Sequence, residues 1–234
     1  MLSFALACLL CQSLLLLPAQ DPTTVAPRAY RRSFENERVR VTRVHYEPRE
    51  RVPAHDHPDN ATVYVYLRDS GPVRFVHTGE EAFTLVRPAV RAGGFRLSRG
   101  SKETHSVESL TDRPTDFLRI ELKGLDAAER RPFYGRFPPE PRAARRSRQR
   151  LRYENARVRI FSLSCAARGA CDNLVSSDTA SLLVALSPAR PRPSGGGSEL
   201  LLALGDTRWA EPGAPSAFVN AGDTPAEFLR IDLK

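Results

Sequence analysis

Histidine is missing from the chain beyond His105, and lysine is nearly missing throughout, with 3 lysines against 32 arginines. Among its 234 residues there is one tryptophan and one methionine, with four cysteines and five histidines. After the amino-terminal segment, no stretch is long and apolar enough to span a bilayer. Convincing long amphipathic helices are also lacking, which argues against a parallel sheet clothed in helices. What is present is ordinary for a folded soluble protein: 41% apolar and 26% charged residues, a balance that excludes disorder as the main state. The length allows one large domain or two small ones. The net charge of +8 rests on arginine, and so one-sided a usage does not by itself specify phosphate as a partner.

Residues 1–19 (MLSFALACLLCQSLLLLPA) carry no charged side chain, and their apolar run ends at Pro18-Ala19. Residues 1–20 therefore read as a signal peptide, and the protein as exported, periplasmic or secreted. The alternative is an anchor formed by the same segment left uncleaved. Once the signal is cleaved, no stable membrane span remains. Cys8 and Cys11 leave with the leader, so Cys165 and Cys171 remain as a disulfide candidate in an oxidising compartment. Two unpaired thiols are the other reading. A metal site on this pair is disfavoured, because no histidine follows it.

The chain repeats itself. Phe34-Glu-Asn-Glu-Arg-Val-Arg-Val41 recurs as Tyr153-Glu-Asn-Ala-Arg-Val-Arg-Ile160. Asp59–Leu67 aligns with Asp178–Leu186, and Pro114–Lys123 with Pro225–Lys234. The offset is 119 in the first two blocks and 111 in the last, so the second copy has lost eight residues between the middle and final blocks. Two units, each long enough to enclose its own core, make a two-domain duplication rather than a solenoid. Each copy reads as short β-branched and aromatic runs of period two, separated by Gly and Pro turns, which points to a sandwich or barrel. Residues 28–124 form the first domain and 151–234 the second. Residues 125–150, rich in Pro and Arg, read as an exposed linker. The Arg run from Arg142 to Arg152 invites an acidic partner, but a solvated linker accounts for it. Nucleic-acid binding fits neither export nor the lack of interleaved aromatics.

All five histidines lie in the first copy, and His55-Asp56-His57 is the informative triplet. On a strand, residues i and i+2 share a face, so two imidazoles can chelate one metal. His105, near the start of another strand, is the third candidate. Three neutral nitrogens suit one divalent transition metal (iron, zinc, copper, nickel or manganese) and leave positions open to water or substrate. His45 and His77 have no ligand-like spacing and read as ordinary strand residues.

On these residues the chain resembles a cupin, and its duplication resembles a bicupin. The resemblance covers Phe34–Lys123 well and Tyr153–Lys234 weakly. It implies an all-β fold of two tandem double-stranded β-helix (jelly-roll, cupin-like) barrels, with His55, His57 and His105 at three of the family's four ligand positions. The fourth, a Glu four residues after His57, is Ala61 here; Asp59 reaches the site only if the chain bulges after Pro58. The first motif's Gly, six residues before His55, is Arg49. The family's Pro-x-Gly before the third His is replaced by Gly100-Ser101-Lys102.

In the second copy the three ligand positions become Leu174, Ser176 and Ser216, which makes it a degenerate barrel without metal. Trp209 reads as a core filler there. The resemblance implies oxygenase or isomerase chemistry on a small molecule and pairing into a homodimer through sheet edges. A non-catalytic ligand-binding or structural protein with decayed sites is the alternative, since fold alone does not choose between them.

Overall fold

The computed structural model describes residues 20–79, 82–141, 146–176 and 178–234. Of the signal-peptide reading over residues 1–20, all but Gln20 lies outside this range. Among the described residues no helix is long and apolar enough to cross a membrane.

The first copy opens with a one-turn helix, α1 (Pro22–Val25), followed by β1 (Tyr30–Glu35), β2 (Val39–Tyr46), β3 (Arg51–His57) and β4 (Ala61–Tyr66). It continues through β5 (Val73–Thr78), β6 (Thr84–Arg87), β7 (Phe95–Ser98), β8 (Glu103–Ser109) and β9 (Thr115–Leu122). Then come α2 (Ala127–Arg130) and β10 (Gly135–Phe137). The second copy holds β11 (Arg148–Glu154), β12 (Val158–Cys165), β13 (Ala170–Cys171) and β14 (Ala180–Ala185). It ends with β15 (Pro191–Pro193), β16 (Thr207–Ala210), β17 (Phe218–Asn220) and β18 (Ala226–Leu233). The first copy's sheets run β1-β2-β9-β4-β7-β10 and β3-β8-β5-β6, and the second copy's run β11-β12-β18-β14-β16 and β13-β17-β15. The fold is therefore all-β, in two jelly-roll barrels built to one plan.

Strand register repeats as the sequence does. Val39 faces Leu122 in the first copy and Val158 faces Leu233 in the second. The same one-residue bulge falls between Arg32 and Phe34 and between Leu151 and Tyr153. Asn36 and Asn155 each accept hydrogen bonds from two following backbone amides, closing the same turn into β2 and β12. Lys123 and Lys234 donate to Glu35 and Glu154, which ties each last strand to its first. Arg49 and Arg168, at equivalent turns, take the left-handed backbone at φ 61° and 53°. Each pairs there with an aspartate, Asp112 or Asp223. The position where the cupin motif has Gly thus keeps the conformation Gly favours, in both copies.

Each copy does not simply close on its own core. The outer faces of the two larger sheets are apolar: Val41, Val63, Ile120 and Leu122 on one, Ile160, Leu182, Leu229 and Ile231 on the other. These side chains form one buried cluster, the largest among the described residues. Apolar faces of this size cannot be left to water, so each sheet covers the other. Trp209 packs at the edge of this shared core and stacks on Phe34 of the first copy, with centroids 6.3 Å apart.

The segment 125–150 is likewise not a bare exposed linker. α2 carries a capping box between Asp126 and Glu129, Phe133 is fully buried in the shared core, and β10 pairs with β7. β10 thereby extends the first copy's sheet past residue 124. Three arginines of the basic run, Arg148, Arg150 and Arg152, converge on Glu140 at 3.0, 2.9 and 3.0 Å. Proline density suggested an extended connector, but two aromatic anchors, Phe133 and Phe137, pack against the shared core and hold it to the barrels.

Candidate metal centre

β3 runs antiparallel to β8, and β8 to β5, so three histidines meet in one row. His55 faces His105 across β3–β8, and His105 faces His77 across β8–β5. One extra residue in β3, between Val52 and His55, decides which side chains enter the barrel. Val52 packs inside with Val107. Strict alternation from it would turn Ala54 inward, whereas the bulge at Pro53-Ala54 turns His55 and His57 inward instead. Asp56 is left facing outward, where Thr104 donates a hydrogen bond to its carboxylate.

The imidazoles of His55, His57 and His105 are buried, and each offers a ligand nitrogen within 4.8 Å of the others. Ring centroids are 4.9 Å apart for His55–His57, 4.9 Å for His55–His105 and 5.0 Å for His57–His105. His55 Nδ1 lies 2.8 Å from the carbonyl oxygen of Pro53, in the bulge itself. A carbonyl only accepts, so Nδ1 carries the proton and Nε2 is left with its lone pair. That Nε2 is buried with no hydrogen-bond partner, as are both ring nitrogens of His105. Orphaned buried nitrogens are costly unless something fills the gap. Burial pushes the pKa of His55 down to about 4 and that of His57 well below its ordinary value. Both rings are therefore neutral near pH 7, the form that binds metal.

Two residues outside the sequence triad join it. Glu103 faces His57 across the strands and shares the inner face of β8 with His105. Its Oε2 is 3.6 Å from His77 Nδ1 and 3.8 Å from His105 Nδ1. Burial raises the pKa of Glu103, but His105, Arg119 and His77 more than offset this, so its carboxylate stays ionised. His77, Glu103 and His105 form a second group of potential ligands that shares His105 with the first. His77 is therefore not an ordinary strand residue, because cross-strand pairing brings it to the site. His45 lies apart, half exposed beside Glu47. Asp59 does not reach the centre; it is mostly exposed and pairs with Arg130 at 3.1 Å. Ala61 is fully buried in the core shared between the copies. The i, i+2 rule applied to His105 would have found Glu103; nothing in local spacing marks His77.

His57, His77, Glu103 and His105 open onto a cavity of about 60 Å³, large enough to hold water or a small ligand. Its other walls are aromatic. Tyr30 and Tyr46 share a 2.6 Å hydroxyl contact, and Tyr30 packs edge-on against His55 at 4.9 Å. Burial raises the pKa of both tyrosines, so both hydroxyls keep their protons. Arg119 lines the same cavity, held by Glu121 at 3.0 Å and by the Tyr64 hydroxyl at 3.2 Å.

Among its described residues the second barrel has no such cluster of ligands. Leu174, in the place of His55, is buried in an apolar cluster with Leu163, Leu183, Phe218 and Phe228. Its backbone amide donates to Ser216, which occupies the place of His105. Cys165 and Cys171 form a disulfide within that cluster, with Cα atoms 5.2 Å apart.

No protein-family model matches the sequence, and no curated protein is significantly similar to it. Solved structures do match in fold. A cupin 2 conserved barrel domain protein from Leptotrichia buccalis is 11% identical with a TM-score of 0.53, over 88% of this chain and 88% of its own. YhaK from Escherichia coli is 14% identical with a TM-score of 0.54, over 88% and 91%. Bacillus subtilis oxalate decarboxylase, a protein with Mn(II) centres, is 13% identical with a TM-score of 0.56, over 84% and 69%. At these identities the likeness is one of fold, and the chain has the cupin fold.

Proposed function

We propose that this is a bicupin metalloprotein acting on a small molecule, with one divalent transition metal in the first barrel and a metal-free second barrel. His55, His57 and His105 would hold the ion, with Glu103 supplying the carboxylate that Ala61 does not. The observation that carries this reading is the set of buried, unpartnered imidazole nitrogens, His55 Nε2 and both nitrogens of His105, converging beside His57. A donor set of three neutral imidazoles and one carboxylate suits iron, zinc, copper, nickel or manganese. A bound ion there supplies Lewis acidity or redox chemistry of the kind oxygenases and isomerases use.

The protein's own side chains do the rest. The bulge carbonyl of Pro53 fixes the tautomer of His55, so its ligating nitrogen is ready without rearrangement. Glu103 offers a proton acceptor at Oε2 beside His77 and His105. Tyr30 and Tyr46 form one side of the cavity. The leader composition and a disulfide-bonded second barrel together support an exported protein.

The test is metal content by mass spectrometry in wild type and in His57→Ala, purified without a histidine tag. His57→Ala is expected to lose the metal while keeping a β-rich circular dichroism spectrum. Metal retained in full by both His57→Ala and His105→Ala would sink the proposal.

A further inference from the structure

The inner face of the first barrel carries a charge that no ion pair balances among the described residues. Arg96 lies on β7 opposite Tyr64, which lies opposite Arg119 on β9. The ring of Tyr64 thus sits between two guanidiniums, 3.9 Å from that of Arg96 and 5.8 Å from that of Arg119. Arg119 is neutralised by Glu121. Arg96 is only 6% exposed, its Nε has no hydrogen-bond acceptor, and no carboxylate pairs with it among the described residues. Arg87 lines the same cavity, also without an ion-pair partner among the described residues. Burial and the neighbouring Arg96 lower its pKa. The acid that lines this cavity, Glu103, is turned toward His77 and His105 instead.

A buried guanidinium without an acceptor is costly, and more so beside a second cation. The second barrel shows that the fold does not need it there. The equivalent of Arg96 is Arg208, opposite Leu183, and Arg208 is exposed to solvent. Where the barrel interior is filled with Leu and Phe, the arginine is solvent-exposed; where the interior holds a cavity, it is buried against the cavity wall.

We propose that the cavity of the first barrel binds a small organic carboxylate, with Arg96 as its anchor and Arg87 as the second cation. A guanidinium presents two parallel donors that match a planar carboxylate. The aromatic walls suit the organic part, and the cavity admits only a few heavy atoms. The proposal rests on the metal-site reading only in that anion and metal share one cavity, and it names the substrate class for that site.

The probes are acetate, pyruvate, malonate and inorganic phosphate, titrated calorimetrically into the full chain with and without metal. At least one carboxylate is expected to bind both forms with a Kd of about 1 mM or tighter. Arg96→Leu should weaken it at least tenfold, Arg96→Lys less so, and Arg208→Leu not at all. Arg96→Leu should also keep its metal, and its melting temperature without ligand should not fall, because the native charge is unbalanced; a merely structural arginine would lower it. No saturable carboxylate binding by wild type, equal binding by Arg96→Leu, or tighter binding of phosphate than of every carboxylate would overturn the proposal. Metal without carboxylate binding defeats this inference alone. Carboxylate binding by a protein that takes up no metal defeats the metal reading alone.

Discussion

The two barrels share strand order, register, turn devices and a buried arginine–acid pair on their last strands, Arg119–Glu121 and Arg230–Asp232. Their interiors are opposites. Where the first has Tyr46, Tyr64 and Tyr66 around a cavity, the second has Cys165, Leu183 and Ala185 in an apolar core. Where the first has His55 and His105, the second has Leu174 and Ser216. The offset between copies is 118 at β5 and 112 at β7, so most of the second copy's shortening falls on the β5–β6 hairpin. That hairpin carries His77 and the Phe83 ring stacked on it at 4.2 Å. The barrel is therefore maintained by its turns and by the shared sheet-on-sheet core. The chemistry is carried by side chains that can be exchanged without altering that frame.

The largest expected effect breaks what the copies have in common. Ile120→Ala in the first copy and Ile231→Ala in the second should each cost about 2–5 kcal/mol. Each should lower a single unfolding transition measured by calorimetry. Two separate transitions, only one of them moved, would show that the barrels do not depend on a common core.

A second prediction makes the first barrel like the other. His55 stays neutral when folded down to about pH 4, because burial pushes it down, whereas the unfolded chain takes up a proton near pH 6.5. The unfolded state binds more protons between these values, so stability is present above about pH 6.5 and is lost as pH falls toward 4. For the metal-free protein this amounts to about 3 kcal/mol. His55→Leu, the second copy's residue, should flatten this loss in urea unfolding followed at pH 7 and pH 5. Equal slopes in the two proteins would contradict the assigned burial.

The smallest effect belongs to the second barrel. The double variant Cys165→Ala/Cys171→Ala opens only a short loop and should cost on the order of 2 kcal/mol. Its metal content should match that of wild type; a loss of metal would mean that the second barrel shapes the first one's site.

Much of this comparison is legible in the sequence. The repeat blocks coincide with the turns and strands that hold each barrel, because backbone geometry there demands particular residues, such as Asn36 and Asn155. The His55/His57 pair is visible because strand periodicity is local. Two features, His77 and the shared core, are hidden for one reason, that they depend on pairing between distant segments. His77 reaches His105 only through the β5–β8 register. Glu103, two residues before His105 on the same face, is within reach of strand periodicity, whereas Asp59, the acid singled out instead, is taken by Arg130. The shared core is invisible because alternation marks one face of β9, with Leu118, Ile120 and Leu122, as apolar enough to bury, and not that the other copy covers it. The stretch from 125 to 150 misleads because proline and arginine density conceals Phe133 and Phe137.

The central claim is that one barrel binds metal and its twin does not. Elemental analysis of the full chain, reconstituted in turn with iron, zinc, copper, nickel and manganese, tests it most directly. The account predicts about one equivalent per chain for at least one of these metals, abolished in His105→Ala and unchanged in Ser216→Ala. No bound metal after reconstitution with all five, or an equivalent that survives in His105→Ala, would contradict it.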